Sequence, residues 1–353
     1  MTARVEPKKL WRFRRPRGRE RARLQSREGL VGWAFIWPAF VGLVIFLFLP
    51  ILFALWVSFR NWNGITSPFD STFIGLDNYR ELLTEPGIRR KDFFIAIRNN
   101  LYYVLGVVPI QTAVAFVLAV IVNQKYLKNK GFFRTAYYFP SITSSVAVAL
   151  IFIFLFQVQG AVNFILPFET VNWLNNANGL IHNLLGVVGV HRPPGFLAET
   201  DVLGLSLWEW ISGPSVTMSA IMLLNIWTTV GTFMLIFLAG LQNISPDVEE
   251  ASAVDGASGL QRFRHITIPL MRPTIFFVVT LGLIGTWQVF DQVFVISFGG
   301  PQKTTVTPAF LTYLHTFVNS KAGLAAAVSV LLFLIIATFT FVQRRIVSDV
   351  GEA

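Results

Sequence analysis

Long uninterrupted apolar runs dominate the hydrophobic pattern of this chain. Six runs are long enough to cross a bilayer, whose hydrocarbon core requires about 20 apolar residues of helix. The predicted spans are residues 31–58, 99–122, 135–157, 214–241, 274–297 and 322–343. Asp291, in the fifth span, is the one Asp, Glu, Lys or Arg that they contain. The pattern therefore predicts an all-α membrane protein with six transmembrane helices, in a membrane domain covering residues 29–345.

The first span differs from the others because it carries Pro38 and Pro50. Proline disturbs a helix interior, so we expect kinks or a frayed end there. A cleaved signal peptide has an apolar core of only about 7–15 residues, and this run is longer. The first span is therefore predicted to be an uncleaved anchor.

Residues 158–213 separate the third and fourth spans. Their apolar pieces, such as 179–190, are short and are interrupted by Gly, His and Pro. We expect an extracytoplasmic loop with helices lying on the membrane surface. If one piece crossed the membrane instead, every later loop would change sides, and the basic loop at 242–273 would face outward.

Composition agrees with the membrane class, because only 14% of the residues are charged and 54% are hydrophobic. Soluble domains are about 25% charged. The chain contains no Cys, which excludes disulfides, thiolate metal sites and cysteine nucleophiles.

Positive charge indicates the orientation. The formal net charge is +10, and residues 1–28 hold eleven Lys/Arg against three Glu. Because this tail leads directly into an apolar run, we interpret it as a cytoplasmic tail and not as a nucleic-acid-binding segment. With the N-terminus inside, 20 of the 29 Lys/Arg lie on the cytoplasmic side, as the positive-inside rule requires. The prediction is N-in and C-in, with residues 346–353 as a cytoplasmic tail.

The loop at 242–273 is predicted to contain a helix–turn–helix, called here the elbow (residues 247–268). A hydroxyl, a proline and an acid at residues 245–247 are typical of a helix start. Good helix formers follow to residue 255, and Gly256 and Gly259 permit a sharp turn.

A second elbow helix is predicted over residues 259–267. Pro269 and Pro273 are expected to end it before the fifth span, because proline cannot continue the helical hydrogen bonding.

The elbow's composition suits contact with another protein. Small residues allow close approach, and Glu249, Glu250 and Asp255 offer charge to a basic groove. The alternative from composition alone is an amphipathic helix at the membrane interface.

A motif favours the first interpretation. The elbow resembles the EAA motif of ABC importer permeases, whose pattern is EAA, three residues, Gly, nine residues, Ile, one residue and Leu-Pro. The matching residues are Glu250, Ala251, Gly256, Ile266 and Pro269, extended by Asp255, Ala257, Phe263 and Pro273. Ser252 and Ile268 depart from the pattern. Segments 73–79, 131–140 and 290–301 are similar to segments of the sugar-type permeases, so the resemblance covers most of the chain after residue 70.

The resemblance implies a bacterial inner-membrane permease subunit for a sugar-like solute. It implies four kinds of partner: a second permease, two ATPase subunits, an extracytoplasmic binding protein and the lipid bilayer. It also implies which residues couple this chain to the ATPase: Glu249, Glu250, Ala251, Asp255, Gly256, Ala257, Phe263 and Pro269. Glu250 would be the polar contact and Gly256 the turn.

Candidate solute contacts lie in two spans. In the fifth, Gln288, Asp291 and Gln292 are spaced to share a helix face, with Trp287 beside them. Carboxylate and amide groups beside an aromatic ring suit a sugar. An ionisable residue inside a span often faces a water path, although Asp291 could instead lie at the interface or pair within the bundle.

In the fourth span, Asn225, Thr228, Thr229 and Thr232 fall on one face. They are candidates to line the solute path, with Asn225 and Thr229 the preferred pair. Polar residues in spans also hold helices together, which is the alternative.

Several classes of function lack support. No G-x-x-x-x-G-K-[ST] phosphate loop is present, so ATP and Mg²⁺ are expected on a partner ATPase and no cofactor on this chain. The four histidines have no metal-ligand spacing, and no catalytic constellation is found. An ion-gradient-driven secondary transporter is the main alternative, but it would favour ionisable residues in several spans. A membrane-embedded enzyme would need a cluster of reactive residues.

Overall fold

A computed structural model of the chain describes residues 18–124, 126–166, 170–190 and 192–348. Residues 1–17 of the expected basic tail and residues 349–353 of the expected C-terminal tail lie outside this part. The chain divides into two compact units, Met1–Trp56 and Val57–Ala353.

The described part of the N-terminal unit is one helical path. It consists of α1 (Gly18–Leu43), a π-helical turn (Val44–Phe48) and α2 (Leu49–Val57). Val31–Val57 is apolar and long enough to cross a membrane, close to the predicted span. A proline ring clashes with the carbonyl four residues before it, and for Pro50 that residue is Phe46, inside the π turn. Because a π turn shifts hydrogen bonding to the residue five positions away, it accommodates Pro50 within the helix.

The second unit begins with small elements that precede a long helix. They are an antiparallel pair of strands, β1 (Arg60–Asn61) and β2 (Thr72–Phe73), a 3₁₀ turn (Pro68–Asp70) and α3 (Asp77–Leu83). The long helix is α4 (Ile88–Asn123), with 36 residues. It starts well before residue 99, where the predicted span begins. Phe93, Phe94 and Ala96 precede that apolar run but are buried in the core, so the helix extends to include them.

The predicted single span at 135–157 is two helices. α5 (Lys130–Ile142) and α6 (Ser145–Phe156) meet at 97°. Thr143 and Ser144 both have extended ψ angles, of 146° and 130°, and these two residues turn the chain. Hydropathy detected the apolar content of this stretch but not its direction. The described residues thus contain five continuous span-length helices, or six spans if the bent pair counts as one.

The segment between the third and fourth spans contains short elements. They are α7 (Ala161–Ile165), α8 (Leu180–Val187), α9 (Gly195–Glu199), the antiparallel strands β3 (Asp201–Val202) and β4 (Leu205–Ser206), and α10 (Leu207–Trp210). The predicted apolar piece at 179–190 forms α8, which has 8 residues. Such a helix is about 12 Å long, too short to cross a bilayer.

Seven α-helices complete the described part of the unit. They are α11 (Val216–Gln242), α12 (Pro246–Val254), α13 (Gly259–Arg262), α14 (Ile268–Trp287), α15 (Asp291–Ile296) and α16 (Pro308–Tyr313), followed by the long α17 (Ala322–Ser348). α4 and α11 pack along each other and form much of the core. Tyr103 of α4 clusters with Met218 and Ile221 of α11, and further along Ala115 clusters with Phe237.

The prediction that Pro269 and Pro273 end the second elbow helix is wrong. α13 continues through a π-helical turn (Phe263–Thr267) directly into α14. The residue four before Pro269 is His265, inside this π turn, so the turn removes the clash as it does for Pro50. The elbow is therefore joined to the fifth span by continuous helix, with no flexible link between them.

Close backbone contact sets the position of α5 on α11. A Cβ atom on Gly231 of α11 would overlap the carbonyl oxygen of Tyr137 and lie 2.8 Å from the Cα of Tyr138. The Ser141 hydroxyl donates to the Thr228 carbonyl at 2.6 Å, one turn away. This crossing places the 97° bend against the polar face of α11.

Folding stability is expected to depend on the protonation of His315, in a π-helical turn (Leu314–Val318) after α16. The side chain is 5% exposed, and burial, aided by the nearby Arg89 cation, lowers its pKa to about 4 from its ordinary value of 6.5. The unfolded chain therefore binds a proton first as pH falls. Stability is full above pH 6.5 and falls between pH 6.5 and 4, by about 1 kcal/mol per pH unit.

Thermal melting of the detergent-solubilised protein from pH 7.5 to 5 tests this expectation. His315→Gln should flatten the dependence of the melting temperature on pH. The matched control is His265→Gln, at an exposed histidine. An unchanged pH dependence in His315→Gln would contradict the assignment.

Candidate functional site

The elbow is a capped helix, a left-handed turn and a second capped helix. The Ser245 hydroxyl accepts from the N–H of Asp247 at the start of α12. Gly256 has φ of +70°, and the N–H of Ala257 donates to the Ser252 carbonyl at 3.0 Å. That bond is typical of a Schellman motif, in which the residue after the helix is left-handed. The turn predicted at Gly256 is therefore present.

A capping box starts the second helix, and the sequence interpretation missed it. The Ser258 hydroxyl accepts from the N–H of Gln261, and the Gln261 side chain accepts from the N–H of Ser258 at 2.8 Å. Ser and Gln three residues apart are the sequence signal of this motif. Gly259, proposed as part of the turn, is the first residue of α13.

The elbow surface combines acidic and apolar groups. Glu250 and Asp255 are exposed, and Ala251 and Gly256 lie exposed near them. Two aliphatic side chains stand out beside them: Val254 is 87% exposed and Leu260 is 77% exposed. Sequence reasoning singled out the acids but missed these side chains. The side chain of Glu249 lies outside the described residues.

Phe263 faces the helix bundle. The Phe263 ring stacks on Phe116 of α4 at 5.8 Å, and Phe116 makes an edge contact with Phe237 of α11. Pro269 is half-buried near the start of α14. Phe263 therefore connects the elbow to the core of the helix bundle.

A cavity lies at the bend between α5 and α6. Its volume is about 250 Å³. Seven of the ten lining residues carry a hydroxyl or amide group: Ser141, Thr143, Ser145, Thr228, Thr229, Thr232 and Gln292. A wall of this kind can exchange hydrogen bonds with a hydroxyl-rich solute.

Two of the predicted solute contacts, Thr229 and Gln292, line this cavity together. The Thr229 hydroxyl donates to the side chain of Gln111 on α4 at 2.7 Å and is also 2.8 Å from the Asn225 carbonyl. The Asn225 side-chain oxygen is buried without a hydrogen-bond partner among the described residues.

Asp291 lies at the edge of the bend. Its carboxylate accepts from the Ser145 hydroxyl at 2.8 Å, which joins the start of α15 to the start of α6. Ser141, Thr143, Ser145 and Gln111 were missed by the sequence analysis. The sequence did contain a signal for this polar site, namely the cluster of hydroxyl residues at 141–145 inside an otherwise apolar stretch.

The shared face proposed for Gln288, Asp291 and Gln292 is wrong. α14 ends at Trp287, and Asp291 begins a new helix after a break. Trp287 is 1% exposed and packs against Phe339 of α17, in a cluster with Val104 and Val108 of α4. Gln288 is exposed at the break. A role in solute passage stays a prediction for all of these residues.

Comparison with known proteins places these features in a family. The model of the family described as "Binding-protein-dependent transport system inner membrane component" matches residues 96–351. The chain is 30% identical to the multiple sugar-binding transport system permease protein MsmF of Streptococcus mutans, over 89% of this chain and 94% of MsmF. It is also 30% identical to the lactose transport system permease protein LacF of Rhizobium radiobacter, over 92% and 96%.

A solved structure shows the same fold. A chain of a bacterial ABC transporter involved in the import of the acidic polysaccharide alginate matches with a TM-score of 0.66 and 20% sequence identity. The match covers 93% of this chain and 99% of the other.

Proposed function

We propose, from the premise that this chain belongs to the family of binding-protein-dependent transport system inner membrane components, that it conducts a sugar across a bacterial inner membrane. It would act as one of two permease subunits. A binding protein would deliver the solute outside, and two separate ATPase subunits would drive transport from the cytoplasm. The relatives named for multiple sugars and for lactose support a sugar as the solute.

The observation that carries the proposal is the exposed elbow. Its acids, Glu250 and Asp255, are exposed, and so are two aliphatic side chains of the same elbow, Val254 and Leu260. Apolar anchors within a charged rim are typical of protein interfaces. We infer that a groove on an ATPase subunit takes these anchors and pairs its basic groups with the acids.

The elbow faces the cytoplasm in this proposal. Arg262 and Arg264 lie within it and Arg272 follows it, as the positive-inside rule expects of a cytoplasmic loop. The same rule supports N-in and C-in termini and an extracytoplasmic segment at 158–213.

Movement of the elbow would reach the bundle by two rigid connections. The first is the continuous helix from α13 into α14. The second is the aromatic contact from Phe263 through Phe116 to Phe237. Closure of the ATPase subunits would thereby shift α14 and, through Phe116 and Phe237, α4 and α11. Alternating access follows if this shift opens and closes the path at the bend.

The solute path would pass the cavity at the bend. Thr229, Gln292 and the hydroxyl groups of Ser141 and Ser145 would bind sugar hydroxyls in turn. Asp291 would orient Ser145 and accept a hydrogen bond from the solute.

Reconstitution tests the function. Proteoliposomes containing this chain, the second permease and the ATPase subunits should accumulate labelled lactose or another sugar when the binding protein and ATP are supplied. A non-hydrolysable ATP analogue should give no accumulation. Sugar accumulation by this chain alone, without nucleotide, would contradict the proposal and favour a secondary transporter.

Asp291→Asn tests the path in the same assay. The substitution removes the charge that would accept a hydrogen bond from the solute, and hydrogen bonds to charged groups contribute about 1.5–3 kcal/mol. We expect sugar uptake to fall about tenfold, with an unchanged melting temperature because Asp291 is exposed. The control is Asp70→Asn, at an exposed acid that is far from Asp291 in the sequence. Wild-type uptake by Asp291→Asn would remove Asp291 from the path.

A further inference from the structure

A second and larger cavity lies at the start of α4, away from the bend. It has a volume of about 690 Å³, within the range of small-molecule sites. The start of α4, the segments at 177–190 and 208–212 and the loop at 302–304 form its walls. None of the residues discussed above for coupling or for the bend cavity lines it.

A buried cation lines this cavity. The side chain of Arg98 is 8% exposed, and its guanidinium group donates to the carbonyl of Glu209 at 3.2 Å and to the side chain of Asn99 at 3.1 Å. Among the described residues, no carboxylate forms an ion pair with Arg98, and its Nε is buried without a partner. A guanidinium group has five N–H donors. Burying such a group without a compensating anion is costly.

The one carboxylate in the lining is already engaged. Glu209 accepts from the N–H and the hydroxyl of Ser206 as part of a capping box, and its other oxygen lies 3.9 Å from the ammonium of Lys91. It therefore does not neutralise Arg98 by contact.

The remaining walls suit a sugar ring. The His182 and Trp208 rings stack at 4.1 Å with an interplanar angle of 16° and form an aromatic wall. Burial lowers the pKa of His182, which favours its neutral form and leaves Arg98 as the positively charged group in the lining. Asn183 and Gln302 add carboxamides that can donate to and accept from hydroxyl groups.

We propose that this cavity binds a carboxylate-bearing saccharide, such as a hexuronate, whose carboxylate pairs with Arg98. The ring lies against His182 and Trp208, and its hydroxyl groups bond to Asn183 and Gln302. The inference rests on the proposed function in one respect: that function places the cavity on the extracytoplasmic side, where arriving solute is present.

Direct titration tests the site. The assembled transporter in detergent, without binding protein or ATP, is titrated with D-glucuronate, D-glucose or inorganic phosphate. We expect glucuronate to bind at least tenfold more tightly than glucose and phosphate. Arg98→Gln should weaken glucuronate binding by about tenfold to a hundredfold, because a charge-assisted hydrogen bond is lost. The matched control is Arg192→Gln, an exposed arginine outside the lining, which should bind like wild type.

A second pair of variants keeps the test decisive if Arg98→Gln does not fold. Asn183 is exposed at the cavity wall, so its substitution leaves the core intact. Asn183→Asp should weaken glucuronate binding several-fold and Asn183→Lys should tighten it, because the two introduced charges act oppositely on an anion.

The contradictory results are also distinct. Four results would each overturn the inference. They are no binding of glucuronate, binding of glucose as tight as that of glucuronate, binding of phosphate as tight as that of glucuronate, and effects of the same sign in both Asn183 variants. ATP-driven uptake of a neutral sugar would stand in all these cases, so failure of this site is separable from failure of the proposed function.

Discussion

Gly256→Val is expected to reduce ATP-driven sugar uptake at least tenfold in the assembled transporter. Gly256 has φ of +70°, a region that L-residues adopt at a cost of about 1–3 kcal/mol and that β-branched residues tolerate least. Open space surrounds the glycine, so the cost comes from the backbone and not from a clash. The turn would relax, and Val254 and Leu260 would lose the relative position at which an ATPase groove takes them. Uptake and co-purification of the ATPase subunits measure the effect.

Two controls isolate the backbone conformation. Gly259→Val makes the same substitution three residues away, in open space and without a positive φ, and should keep uptake near wild type. Gly256→Asn should retain most activity, because Asn tolerates the left-handed region. If Gly256→Val were as active as Gly259→Val, the turn would have no part in coupling.

Gly231→Val is expected to destabilise the protein by about 3 kcal/mol, at the upper end of overpacking penalties. The new side chain would meet the backbone of Tyr137 and Tyr138, which cannot move aside as a flexible side chain can. Separating α5 from α11 would also break the bond from Ser141 to Thr228 and widen the cavity at the bend. A large loss of melting temperature and of membrane yield should result.

The matched control for this substitution is Gly285→Val. Gly285 is also inside a long helix, α14, but an added Cβ meets nothing within 4 Å. Equal stability of the two variants would show that the α5–α11 crossing tolerates separation.

The apolar spans could be predicted from the sequence because burial in a membrane requires long apolar runs. Hydropathy located the helices α4, α11 and α17, whose apolar parts are 36, 27 and 24 residues long. It could not reveal the bend at Thr143 and Ser144, since neither residue is charged and the run therefore reads as continuous. Hydropathy also carries no information on the direction of a helix. The cavity at that bend was missed for the same reason.

The errors in the fifth span have local causes. The usual effect of proline predicted a helix end at Pro269, but the π turn before it absorbs the proline. Helical spacing placed Trp287 beside Asp291, but a break between them sends Trp287 into the core. The close approach at Gly231 was invisible because it depends on a partner helix almost one hundred residues away in sequence. Gly256 was predictable, since a glycine after a run of helix formers is a sequence signal of a helix end.

Labelling of single cysteines from each side of the membrane tests the central claim most directly. The natural chain has no cysteine, so one introduced thiol is the sole target. Val254→Cys, at the tip of the elbow, should react with a membrane-impermeant maleimide only from the cytoplasmic side and should be protected when the ATPase subunits are bound. Phe164→Cys, at a 90% exposed side chain in the 158–213 segment, should react only from the outside. Reaction of Val254→Cys from the outside, in intact cells, would contradict the account.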